Sequence, residues 1–223
     1  MAITMRTADV TLHDLSSKFG LQLTEEAAFF TEWHADVPAL SEPEKQQLDR
    51  IRAGYLHLMS RTSLLEDAVK MVVLAPLLSL ADVFLPPFEI RSEVAVQLAI
   101  ADEAMAIEGK IDILVLHSRL WILLIESKRA AASIEVGLPQ LLAYMLANPN
   151  PVQPVYGMIT NGGSFVFLKL VQATKTAHYA LSRIFEMRNP GNELHLVLAV
   201  LKHLTRSLLQ PSPGVGTGDG AVD

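Results

Sequence analysis

Through the first third of the chain, apolar residues recur at three- and four-residue intervals, the spacing of one helix face. Residues 24–35 read as a short helix after Thr24, with Ala27, Ala28 and Phe29 available for burial. Ser41-Glu-Pro-Glu44 has the form of a capping box with proline tolerated in the first turn. The helix it opens carries Leu48, Ile51, Tyr55 and Leu58 on one stripe. Ser63-Leu-Leu-Glu66 repeats the form and predicts a second helix through Val69, Val72 and Val73, kinked or broken at Pro76. Pro86-Pro87 closes this helical part.

From Phe88 the period changes to that of strands. Residues 89–100, 110–116 and 120–127 are expected strands, and the short link Leu116-His-Ser-Arg-Leu120 makes the last two an antiparallel hairpin. A helix follows within 133–147, starting or bending at Pro139 and ended by Asn148-Pro-Asn-Pro151. Strands at 155–160 and 165–170 flank Asn161-Gly-Gly-Ser164, whose residues accept positive φ. A last helix at about 193–209 precedes a Gly/Pro/Ser-rich tail. The order predicts an α/β protein with a mixed central sheet flanked by helices. Its parts are a helical N-terminal extension (1–60), a core (61–210) and a disordered tail (211–223).

Composition narrows the class. Half of the 223 residues are apolar and 19% are charged, as in a folded chain with a good-sized core. The absence of cysteine excludes disulfides, thiolate metal sites and a cysteine nucleophile, and fits a reducing cytoplasm. The greasiest stretch, 71–81, is interrupted by Pro76 and is too short to cross a bilayer, so no membrane association is expected. The N-terminus does not run into an apolar signal segment. The net charge of −6 speaks against a nucleic-acid partner, but it is unevenly spread. Residues 1–100 hold 8 basic and 14 acidic side chains, whereas 104–210 hold 10 basic and 6 acidic ones. The second half is compatible with a phosphate backbone.

The candidate chemistry lies in Gly109-Lys-Ile-Asp112 and Ile125-Glu-Ser-Lys128. Strand side chains alternate, so Glu126 and Lys128 share a face, and Asp112 can reach it across the hairpin. Burying two carboxylates without compensation is unfavourable, and a hard divalent cation, Mg2+ or Mn2+, resolves it. Held by Asp112 and Glu126, such an ion would polarise a scissile phosphate and activate a water. Lys128 would orient that water or stabilise the developing phosphoryl charge. Glu93, on the first strand, is a candidate further ligand. Glu66 is the capping partner of Ser63 or a supporting acid near the metal. The seven histidines show no zinc-type spacing.

Gly109-x-x-Asp112, Glu126-x-Lys128 and Gln140-Leu-Leu-Ala-Tyr144 together resemble the PD-(D/E)XK (restriction endonuclease-like) nuclease superfamily. The likeness is to its RecB-like branch, with a Gln-x-x-x-Tyr helix after the active-site strand. Over roughly 50–170 the chain is also similar to small stand-alone bacterial proteins of the type I restriction subunit R kind. The resemblance implies a restriction-endonuclease-like core and a Mg2+-dependent nuclease cutting DNA in restriction or repair. It makes Asp112 and Glu126 metal ligands and Lys128 the catalytic lysine. Gln140 and Tyr144 would steady the site or contact the DNA backbone. A homodimer and restriction-system partner proteins fit the same picture. Ile111 stands where the family has proline, Pro139 abuts Gln140, and no Walker loop supplies a motor. The alternative reading is a catalytically silent nuclease-fold module that binds DNA or a protein.

Overall fold

One mixed sheet of nine strands organises the computed structural model, which describes residues 3–99, 105–173 and 176–207. The chain begins with β1 (Ile3–Arg6), α1 (Leu12–Phe19) and β2 (Leu21–Leu23). Next come α2 (Glu42–Met59) and α3 (Glu66–Val69), the latter continuing through a π turn, Lys70–Leu74, into α4 (Ala75–Leu80). Three strands follow: β3 (Phe88–Ala99), β4 (Met105–His117) and β5 (Leu120–Ser127). A 3-10 turn, Ile134–Gly137, leads into α5 (Leu138–Leu146). The chain goes on through β6 (Val155–Thr160), β7 (Ser164–Gln172), β8 (Ala177–Leu181) and β9 (Phe185–Glu186) to α6 (Leu194–Ser207). With α3 and α4 counted as one, five helices flank the sheet among the described residues.

The sheet order is β1-β4-β5-β6-β7-β8-β2, with β3 on β4 and β9 on β7. Pairs β1–β4, β5–β6 and β2–β8 are parallel and the others antiparallel. The chain is therefore an α/β protein. Every residue of β6 is buried, which explains its continuous apolar character: helices cover both faces there. Tyr55, Leu74, Leu77 and Phe167 fill the core on the side of α2, α4 and α6. Leu15, Leu141, Met145 and Leu168 fill the one beneath α1 and α5. No described helix is long and apolar enough to cross a membrane.

Several expected elements form as the sequence predicts. Glu44 accepts the Ser41 backbone N–H at 2.6 Å, closing the capping box of α2. Ser118 and Arg119 take positive φ, 50° and 70°, in the two-residue link between β4 and β5. Pro139 stands in the first turn of α5, where its missing N–H leaves nothing unbonded.

Others differ. Residues 24–35 form turns and no helix. Phe30 and Glu32 both reach the interior, and in a helix two residues two apart would face different ways. Glu32 accepts from the Tyr156 hydroxyl at 2.8 Å and from Lys169 at 2.5 Å. The Ser63 capping box does not form: Leu65 is the N-cap of α3, with no side-chain hydrogen bond, which leaves Glu66 free of that duty. Pro76 does not stop its helix, which runs on to Leu80: the wider π turn comes just before it, with Ala75 N–H bonded to Lys70 C=O. The region 1–60, expected to be helical, supplies β1 and β2 to the sheet. These strands, four and three residues long, carry too little alternation to be seen in the sequence. Residues 208–209 of the expected last helix and the tail 211–223 lie outside the described residues.

Candidate metal centre where β4 parts from β5

The site is a consequence of how β4 shares its partners. Its C-terminal half pairs with β5 as far as Ile113↔Ile125, while Met105–Glu108 pair with β1. Between them, Gly109, Lys110 and Ile111 pair with β3 alone, and the β3–β4 register skips the position where Glu93 stands opposite Asp112. Asp112 sits at this parting. Its Oδ2 accepts the Ser127 backbone N–H at 2.8 Å, taking over for the ladder bond that ends there. Its Oδ1 accepts from Lys70 Nζ at 2.9 Å.

Glu126 lies one residue along β5 and is 2% exposed. Lys128 Nζ donates to its Oε1 at 2.6 Å, whereas Oε2 is buried without a hydrogen-bond partner among the described residues. Burial first, and the Asp112 charge second, push the Glu126 carboxyl up to about 7, although Lys128 pulls the other way. A buried, half-satisfied carboxylate beside a second one is costly on its own and is suited to an added cation.

Behind the carboxylates runs a connected relay. Lys128 Nζ also donates to Gln140 Oε1 at 2.9 Å, and Gln140 Nε2 donates to the Tyr144 hydroxyl at 2.8 Å. That hydroxyl shares a 3.0 Å hydrogen bond with Thr7 Oγ1. Since a lysine only donates, the amide orientation of Gln140 follows. The four-residue spacing of Gln140 and Tyr144 puts both on one face of α5. Tyr144 is 1% exposed, so its hydroxyl meets Gln140 and Thr7 inside the protein.

Two glycines make room for this arrangement. A Cβ on Gly137 would lie 3.3 Å from Lys128 Cε and 3.4 Å from Glu126 Cγ. Gly137→Val is therefore expected to push Lys128 off its partners and lower any metal-dependent cleavage by roughly 10- to 100-fold, since small misplacements are expensive in rate. Equal cleavage by the folded variant and the wild type would refute this. A Cβ on Gly109 would fall 2.1 Å from Thr7 Oγ1 and 2.8 Å from the Tyr144 hydroxyl. Gly109→Ala is expected to destabilise the protein by about 1–3 kcal/mol through this overpacking, measured as a lowered midpoint in urea.

The structure thus brings Asp112, Glu126, Lys128, Gln140 and Tyr144 together. Glu66 stands at the margin, 2.9 Å from Lys70 Nζ, with a field that reaches Glu126. Hydrogen bonds from Lys70 to Asp112 and Glu66 outweigh its burial and hold its ammonium firmly charged. Glu93 is not gathered in. It lies across β3 from the parting with φ of 53°, and its exposed carboxylate faces Lys110 at 4.0 Å. An edge strand leaves that side chain to solvent, so the expected third ligand is not assembled. Among the described residues no group of three or more His, Asp and Glu side chains is placed to hold a metal. Two carboxylates with water still suit Mg2+, which keeps part of its hydration shell.

Sequence reasoning missed Lys70, Gly137 and Thr7. Only Lys70 had a signal, its i,i+4 spacing from Glu66.

The chain matches no family model, and no curated protein matches it significantly. A nuclease reading rests on these residues and their geometry.

Proposed function

We propose that this protein is a metal-dependent nuclease of the PD-(D/E)XK type that hydrolyses DNA phosphodiester bonds. The observation that carries the reading is Glu126 Oε2, a buried oxygen without a partner among the described residues, set beside Asp112 and a lysine already bonded to Glu126. The restriction-endonuclease-like core belongs to the same proposal, supported by a mixed sheet whose long β4 parts from β5 at the acid.

Asp112 and Glu126 would hold Mg2+ or Mn2+, which when bound supplies Lewis acidity to the scissile phosphate. Lys128 contributes an ammonium held by Glu126 and Gln140, placed to offset negative charge as the phosphoryl oxygens gain it. Gln140 and Tyr144 keep that ammonium from wandering, which preserves the geometry of attack. The relay ends at Thr7, the first residue after β1, so the turn Thr7–Asp9 takes part in the positioning.

The test is plasmid cleavage by the full chain with Mg2+ or Mn2+, with EDTA and a Lys128→Met variant as controls. Nicking that needs the metal and Lys128 supports the reading. DNA binding without cleavage or metal uptake would instead favour a silent nuclease-fold module.

A further inference from the structure

Among the described residues, Lys70 is the one cation bonded to this centre to which the nuclease reading gives no task. It stands on the π turn between α3 and α4, not on the strands that carry the motif. Its Nζ lies 2.9 Å from Glu66 Oε1 and 2.9 Å from Asp112 Oδ1, joining two acids from different elements. The Lys70 side chain is 23% exposed and that of Asp112 11%, so solvent screens this contact less than a surface pair. π turns are rare, and one that aims a lysine at an acidic pair is a placement to be explained.

The charges offer the explanation. Glu66, Asp112 and Glu126 supply three negative charges, and Lys70 and Lys128 supply two positive ones. One divalent ion brings this set to a single positive charge, matching one phosphodiester. A second divalent ion would leave a large unmatched excess in a partly buried site. It would also have to compete with an ammonium for Asp112 Oδ1 and for Glu66. Many phosphodiester-cleaving sites use a pair of ions. Here, an amine occupies the space between two of the acids.

We propose that Lys70 is a resident cation that stands in for a second metal ion, limits the centre to one divalent ion and positions Asp112 for it. The inference rests on the metal-centre reading above, and its test separates the two. Lys70 acts through Asp112, so it is a positioning residue.

Mn2+ is titrated into the metal-free full-length chain, with binding followed by calorimetry and by the paramagnetic resonance of free Mn2+. The wild type is expected to take up one ion per chain. Lys70→Met should take up two, because Glu66 and Asp112 then face each other without a counter-ion. Lys70→Arg, which keeps the charge, should return to one. Circular dichroism checks folding, and Lys70→Gln replaces the methionine variant if that one unfolds. A purely structural salt bridge would shift the melting temperature but leave the stoichiometry at one in every variant, which overturns the proposal. Two ions in the wild type overturn it while leaving the metal centre standing. No uptake in the wild type overturns both.

Discussion

Glu126→Gln is expected to abolish metal-dependent DNA cleavage, by about 10^3-fold or more, and at the same time to make the metal-free protein more stable. The two effects have one cause. Glu126 is buried, one of its oxygens has no partner among the described residues, and Asp112 repels its charge. A neutral amide of the same shape keeps an acceptor for Lys128 and removes the repulsion. With its folded pKa raised to about 7, Glu126 binds its proton more tightly in the native state than in the unfolded chain. Native stability of the metal-free wild type should therefore fall as pH rises from the ordinary carboxylate value through about 7. Glu126→Gln lacks this slope, so its advantage, on the order of 1–3 kcal/mol, should be present at pH 8 and vanish near pH 4. Divalent ions should reverse the order, since only the wild type gains from binding them. Thermal melts at both pH values, with and without Mg2+, check all three parts. A variant less stable than the wild type at pH 8 without metal would contradict the account.

The second large effect lies away from the site. Lys202 on α6 is 8% exposed and is bonded to Glu44 in the first turn of α2, with Asp82 at 3.8 Å. Glu44 also closes the capping box with Ser41. Glu44→Ala removes both of these roles, leaving a buried ammonium with a distant partner and the Ser41 backbone N–H without its carboxylate acceptor. The expected loss is about 3–5 kcal/mol, or roughly 6–20 °C in melting temperature for a chain of this size. Lys202, and then Ser41, hold the Glu44 carboxyl down at about 2. Its contribution is therefore full above the ordinary carboxylate value and fades as pH falls toward about 2. Melting curves at pH 7 and pH 3 should show a larger gap between variant and wild type at pH 7. A gap that is the same at both would mean the ion pair carries none of it.

What could be read from the sequence followed the strength of local signals. β5 matches the expected span because an apolar run bounded by Arg119 and Lys128 has only one reasonable frame. Asp112, Glu126 and Lys128 were legible because strand alternation alone puts Glu126 and Lys128 on one face, next to the hairpin. Gln140 and Tyr144 were legible from helix spacing, although only the structure shows that they bond to each other and to Lys128. Glu93 could be read either as a further ligand or as an ordinary exposed strand residue, and its positive φ and exposed carboxylate agree with the second. Glu66 misled: its capping-box spacing was present, but the cap fell at Leu65. α1 carried a signal that could have been used, Thr11 with Asp14 before an apolar stripe and Gly20 after it. β1 and β2 carried none, since short strands are defined by the partners they find. Lys70 reaches Asp112 across 42 positions, a contact no local pattern encodes.

The Thr7–Tyr144 contact spans 137 positions, and β1 meets β4 about as non-locally. Closing such a span is slow compared with forming a hairpin like β4–β5. During synthesis, the segment containing Thr7 leaves the ribosome long before Gly109 and Tyr144 exist for it to dock against. A growing chain can therefore assemble the carboxylates on their hairpin while the lysine relay still lacks its far anchor. Such an order would complete the carboxylate pair before the lysine relay gains its anchor at Thr7. Pulse-labelled hydrogen exchange during refolding should find the amides of β5 protected before those that join β1 to β4.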